Sequence, residues 1–228
     1  MKPEKIAELP APLSGPPPSS TRTRTRGRLT ASQRRSLEVF AASWQVASDV
    51  VWASSFERPA PMGVEIGFGM GPALIEWAQT APAMNLVGIE IYRPGIGALL
   101  GSIESAGLTN VRVLEGEASG LLETSFEAAS IDEIRIFFPD PWPKRKHHKR
   151  RLIQPHMVAV IADRLKPGGR LWMATDWADY AQCMTRVVSG QSNLQAVDAT
   201  DHRVPTRYES RGRRLGHRVF DLVYQRKV

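Results

Sequence analysis

A single cysteine, Cys183, stands in 228 residues, which excludes an internal disulfide framework and a multi-cysteine zinc site and fits a reducing cytosol. No apolar run approaches the ~18 to 20 residues that span a bilayer. Lys2 and Lys5 are not followed by the apolar stretch of a signal peptide. Internal repeats are absent. The expectation is a cytoplasmic chain with no membrane partner, and no obligate protein partner is evident. Negative charge is the scarcer sign, with 23 Asp+Glu against 30 Lys+Arg for a net +7.

What remains is a soluble globular composition, 42% hydrophobic and 23% charged, of a length that suits one domain and a tail. The charge is unevenly spread. Met1 to Arg28 carries +4, Lys144 to Arg151 carries +6 and Arg203 to Val228 carries +6, which leaves −9 on the other 166 residues. An acidic body framed by three basic segments points to a polyanionic partner. Residues 1–28 read as a Pro/Ser/Arg-rich tail, disordered when free because it has almost nothing to bury, and 29–228 as the domain. The tail is either a solvated extension or an arm that orders on nucleic acid through its arginines.

A helix is expected from Thr30, on the spacing of Leu37, Phe40, Ala41 and Trp44. Strands are expected at Val64–Gly67, Asn85–Glu90, Val111–Glu115, Glu133–Phe138 and Arg170–Thr175. Helices fall at Pro72–Thr80, Pro94–Ala106 and Gln154–Leu165, the last closed by a turn at Lys166–Gly169. Beyond Asp176 come a helix through Met184, a weak strand at Leu194–Val197 and a half-exposed strand at Val219–Gln225. This alternation predicts an α/β fold with a mostly parallel sheet covered on both faces.

Gly67, Gly69 and Gly71 alternate between the first of these strands and a helix opening on Pro72. Glycine there lets the backbone turn sharply and approach a ligand at the carboxyl edge of the sheet. The spacing is G-x-G-x-G, not the G-x-G-x-x-G of a dinucleotide loop, which disfavours a nicotinamide-dependent oxidoreductase. The second strand ends in Glu90, placed to accept both hydroxyls of a ribose, so an adenosine-containing cofactor is expected. Glu117 and the Ala118 amide, after the third strand, fall near the adenine.

The fourth strand breaks into Pro139-Asp140-Pro141-Trp142-Pro143, where three prolines hold one carboxylate at the same edge. Then follows Lys144-Arg145-Lys146-His147-His148-Lys149-Arg150-Arg151, a run whose self-repulsion calls for phosphates. His147 and His148 lack a second ligand set, so no metal is expected. Asp176-Trp177 ends the fifth strand. Thr206-Arg207-Tyr208-Glu209 offers polar groups to a base edge.

These motifs, in this order and with Glu65 opening the glycine loop, resemble those of the bacterial tRNA (guanine-N7)-methyltransferases over roughly Arg26 to the C-terminus. The resemblance implies a Rossmann-like class I methyltransferase with a seven-stranded, mostly parallel sheet, helices on both faces and an antiparallel C-terminal strand. It implies S-adenosylmethionine as cofactor, S-adenosylhomocysteine as product, and methyl transfer to N7 of guanine 46 in the variable loop of tRNA. Glu65, Glu90, Glu117 and Asp140 would line the cofactor site, Asp140 being the central catalytic group. Lys144, Asp176, Thr206, Arg207, Tyr208 and Glu209 would contact the guanosine, and Lys146, His147, His148, Lys149, Arg150 and Arg151 the RNA. Trp142 or Tyr208 would stack on a base. Family members commonly carry aspartate where Glu117 stands, which puts either Glu117 or the Ala118 amide against adenine. Two rivals are transfer to an exocyclic amine of a nucleic acid and a non-catalytic RNA-binding protein on the same scaffold.

Overall fold

The computed structural model describes residues 27–50, 52–198, 209 and 218–228. Apart from Gly27 and Arg28, the expected tail lies outside the described residues. Thr30 opens helix α1 (Ala31–Trp44) with a capping box: its hydroxyl accepts from the Gln33 N–H at 3.2 Å, and its own N–H donates to Gln33 Oε1 at 2.9 Å. The chain continues through β1 (Gln45–Val46), α2 (Trp52–Ser55), β2 (Met62–Ile66), α3 (Pro72–Thr80), β3 (Asn85–Glu90), α4 (Arg93–Ala106), β4 (Val111–Glu115), α5 (Ala118–Ser125) and β5 (Ile131–Phe137). A 3-10 helix (Arg145–Arg150), α6 (Pro155–Arg164), β6 (Leu165–Thr175), α7 (Ala178–Ser189), β7 (Leu194–Ala196) and β8 (Phe220–Arg226) complete it.

The sheet runs β1-β4-β3-β2-β5-β6-β8-β7, parallel except that β8 is antiparallel to both β6 and β7. It has eight strands where seven were expected. The addition is the two-residue β1 on the β4 edge, too short to leave a pattern in the sequence. Every residue of β2 and β3 is buried, as a parallel sheet sandwiched between helix layers requires. Alternation divides the core. Leu86, Val111 and Val113 join Leu74, Trp77, Ile96, Leu99 and Ile103 under α3 and α4, whereas Val64, Ile66, Val87 and Ile89 pack with Leu122, Met157, Ile161, Tyr180 and Met184 under α5, α6 and α7.

The Lys166–Gly169 turn is not a connection between helix and strand. α6 ends at Arg164, and the four residues lie inside β6 as a bulge, since β5 advances from Ile131 to Glu133 while β6 advances from Leu165 to Arg170. The order of the sheet reverses at β2, which has β3 on one side and β5 on the other. Loops leaving β2 and β5 therefore diverge at a topological switch point, where open α/β sheets form their ligand crevice.

Helix α1 lies against α4 at a closeness that glycine permits. A Cβ on Gly97 would stand 2.6 Å from the Gln33 carbonyl oxygen, and one on Gly101 would stand 2.8 Å from Ser36 Oγ. Gly97→Ala must push the two backbones apart and should destabilise the fold by about 1–3 kcal/mol. In α5, Gly120→Ala meets nothing within 4 Å and should be neutral or gain up to about 1 kcal/mol. Urea unfolding midpoints of the two variants check the pair.

Candidate active site at the carboxyl edge of the sheet

Gly67, Gly69 and Gly71 all take left-handed backbone angles, φ +73°, +57° and +85°. Any other L-residue would be strained there. Gly71 caps α3 beneath Leu99. Gly67 and Gly69 have open space where a side chain would be, so the loop presents bare backbone outward. Two groups fix it in place. The Glu90 carboxylate accepts from the Gly69 N–H at 2.8 Å and from the N–H groups of Ile91 and Tyr92 at 2.7 and 3.0 Å. From above, α4 presses so near that a Cβ on Gly95 would lie 2.0 Å from the Gly69 carbonyl oxygen. Gly95 carries no motif of its own in the sequence, and only its position against Gly69 shows its part.

Glu65 pairs across the sheet with Gly88 on β3 and Arg135 on β5. It is buried, and its Oε2 has no hydrogen-bond partner among the described residues. Burial pushes its carboxyl up to about 8 and the Glu90 charge adds to the rise, against the opposing pull of Arg135. Arg135 is drawn elsewhere, its guanidinium 3.7 Å from the Trp77 ring centroid and its Nε donating to Glu133 at 2.6 Å. Glu65 thus stands buried beside the glycine loop with one carboxyl oxygen unmatched among the described residues, a position that an ammonium or sulfonium group would complete. The Glu90 carboxylate, the unmatched Glu65 oxygen and the bare loop together fit a cationic, hydroxyl-bearing cofactor.

Glu117 accepts from Ser119 Oγ at 2.6 Å and from the Gly120 N–H at 3.3 Å, capping α5, whose first residue is Ala118. Asp140 stands exposed beyond β5, between two non-glycine residues with positive φ, Phe138 (+51°) and Trp142 (+43°). Such backbone costs on the order of 1–3 kcal/mol per residue and persists only where its surroundings impose it. Trp142 meets the His147 ring edge-on at 5.9 Å and lies 5.1 Å under the Arg150 guanidinium, which ties it to the basic helix. Among the described residues, the exposed aromatic side chain at this edge is Trp177, the cap of α7, next to the half-buried Asp176.

Lys144, Lys146 and Lys149 are exposed, and His147, His148 and Arg150 are half-buried on the 3-10 helix. Partial desolvation and then the charges of Arg150, Lys146, Lys144 and Lys149 hold the His147 imidazole below its ordinary range. Arg151 differs from the rest of the run and corrects the expectation that it faces RNA. Its side chain is 1% exposed and is turned inward against Pro141, His148 and Asp179. Glu209 is buried, and Thr206, Arg207 and Tyr208 lie outside the described residues.

β4, β3, β2, β5 and β6 are consecutive neighbours, so their ends align Glu117, Glu90, the glycine loop, Asp140 and Asp176 along one edge. That edge, on a Rossmann-like sheet, also marks the class. Residues 59–222 match the family model described as a putative methyltransferase. Solved structures with this fold include TrmN from Thermus thermophilus (TM-score 0.53, 16% identity, 85% of this chain and 48% of that one) and an rRNA methylase from Streptococcus thermophilus (TM-score 0.53, 13% identity, 89% and 100%). The [4+2]-cyclase SpnF shares it as well (TM-score 0.54, 12% identity, 88% and 97%).

Closer relatives narrow the class. The chain is 44% identical to the tRNA (guanine-N(7)-)-methyltransferase of Burkholderia cenocepacia (strain HI2424), covering 89% of this chain and 82% of that one. It is 42% identical to the protein of the same name from Shewanella amazonensis (strain ATCC BAA-1098 / SB2B), covering 88% of each. The chain belongs to the tRNA (guanine-N(7)-)-methyltransferase family.

The raised carboxyl of Glu65 has a measurable consequence. A folded-state value above the ordinary one means stability that is full below about pH 4.5 and is lost as pH climbs through about 8. Glu65→Gln keeps the shape without the ionisation. Its stability should decline less than that of the wild type between about pH 5 and pH 9, as read from urea midpoints.

Proposed function

We propose that this protein transfers the methyl group of S-adenosylmethionine to N7 of guanine 46 in the variable loop of tRNA, leaving S-adenosylhomocysteine and 7-methylguanosine. The observation that carries the reading is the placement of Asp140. It stands exposed on a backbone-constrained loop, one strand from the bare glycine loop and directly before a cationic 3-10 helix.

Glu65 meets the positive end of the cofactor, and Glu90 retains acceptor capacity for the ribose, since a carboxylate has about four lone-pair sites and three are used here. Glu117, which caps α5, and the Ala118 amide that opens the helix lie at the adenine end of the site. When bound, the cofactor supplies an electrophilic methyl group. Guanine N7 carries a lone pair and no proton, so attack on that methyl, with the C–S pair left on sulfur, would release no proton for the protein to take up. A strong base has no part in this step; orientation and charge stabilisation do.

Asp140 accepts hydrogen bonds from the edge donors of the guanine and offsets the positive charge that passes to the purine. Lys144, Asp176 and the Thr206 to Glu209 segment hold the nucleoside, with the Trp177 indole as a stacking face. Lys146, His147, His148, Lys149 and Arg150 contact phosphates.

Incubation with unmodified tRNA and labelled cofactor, followed by nucleoside mapping, should give 7-methylguanosine at position 46. A methylated amine, or no product at all, overturns the reading. Asp140→Ala should still bind cofactor and tRNA but lose about 10²–10³-fold in kcat, and near-wild-type turnover would remove Asp140 from its central place. Affinity for tRNA should fall steeply with salt. Lys146→Ala should lower the slope of log K against log salt by about 1.

A further inference from the structure

The last arginine of the basic run does something the others do not. Arg151 Nε donates to the Pro141 carbonyl at 2.8 Å, inside the loop that carries Asp140. Its Nη2 donates to Asp179 Oδ2 at 2.5 Å and lies 3.1 Å from His148 Nε2. The guanidinium stands 4.7 Å from the Tyr180 ring centroid, with Cys183 near enough to act on its charge. Asp179, Tyr180 and Cys183 belong to the opening turns of α7, which begins directly after Asp176 and Trp177. One planar, five-donor cation therefore joins the loop after β5, the end of the 3-10 helix and the start of α7. A lysine, with donors at a single point, cannot span Pro141 and Asp179 together.

We propose that Arg151 is a positioning residue for methyl transfer, a clasp that sets the Asp140 loop against the Asp176 segment, with Asp179 as its anchor. The proposal rests on the reaction proposed above. A buried guanidinium has no free face for a phosphate, so its role is separate from that of Lys146 or Lys149. The Phe138 and Trp142 backbone needs an external hold, and the bond to the Pro141 carbonyl supplies one between them.

The decisive variant is Asp179→Asn. The Asp179 side chain is 60% exposed, so the substitution leaves the core alone while removing a negative charge beside the basic run. If Arg151 served only the electrostatics of RNA binding, Asp179→Asn would tighten tRNA binding and leave kcat at the wild-type level. The clasp predicts the opposite pattern in kcat: a loss of about 10–100-fold, with the cofactor Kd from calorimetry and the salt slope of tRNA binding unchanged. Arg151→Lys, which keeps the charge, should lose kcat in the same way.

An Arg151→Lys enzyme with wild-type kcat, or one that loses only salt slope, overturns the proposal. So does a pair of variants that lower Tm while turnover per folded molecule is intact. If Arg151→Lys does not fold, Asp179→Asn decides alone. Formation of 7-methylguanosine by the wild type reports on the reaction itself, so a failure of that reading is seen separately from a failure of the clasp.

Discussion

A backbone carrying three left-handed glycines in five residues has no preference for one shape until something holds it, and here the holder is the Glu90 carboxylate. It accepts the Gly69 N–H from one loop and the Ile91 and Tyr92 N–H groups from the next, so the ends of β2 and β3 are locked to each other. The rest of the edge follows from that lock. Tyr92 caps α4, whose first turn places Gly95 over Gly69 and whose next turns place Gly97 and Gly101 under α1. Glycines on two faces of α4 thus let it pack closely on both sides, Gly95 against the ligand loop and Gly97 and Gly101 against the N-terminal helix.

The two signs of charge are kept apart by the same geometry. Carboxylates occupy the ends of β2, β3 and β4: Glu90 is held by three amides, whereas Glu65 is buried with its Oε2 unmatched among the described residues, and burial raises its pKa. Cations occupy the 3-10 helix after β5, mostly in solvent, where neighbouring positive charges work against protonation of His147. Asp140 sits where these territories meet. The proposed methyl transfer would carry positive charge from the first of these territories toward the second.

Much of this was legible in the sequence because parallel strands buried on both faces leave apolar runs with sharp ends. Asn85–Glu90, Val111–Glu115 and Pro72–Thr80 fall on the residues their patterns predict. What escaped had physical reasons. Helix α5 holds Gly120, Ser119 and Thr124 in eight residues, a composition that reads as loop until Glu117 caps it. The Lys-Pro-Gly-Gly stretch spells a turn, yet β5 pairs on either side of it and absorbs it as a bulge. Arg151 is chemically identical to Arg150 next to it; at the end of the 3-10 helix, where the Arg151 N–H meets the His148 carbonyl, one stacks half-buried on Trp142 and the other turns inward.

The fold itself decides little about chemistry, as a cyclase on the same scaffold shows. A sheet edge with a glycine loop binds an adenosylated ligand in many contexts. The specific feature of this chain is an acid held in a strained loop: Phe138 and Trp142 both adopt backbone angles that a free peptide would leave. Prolines at 139, 141 and 143 restrict the alternatives but do not choose among them. The choice comes from partners at both ends, the Ala174 carbonyl that receives the Phe138 N–H at 2.8 Å and the guanidinium that holds the Pro141 carbonyl. Both partners lie against β6 and α7, the elements that carry Asp176. Asp140 and Asp176 are therefore placed by one piece of structure.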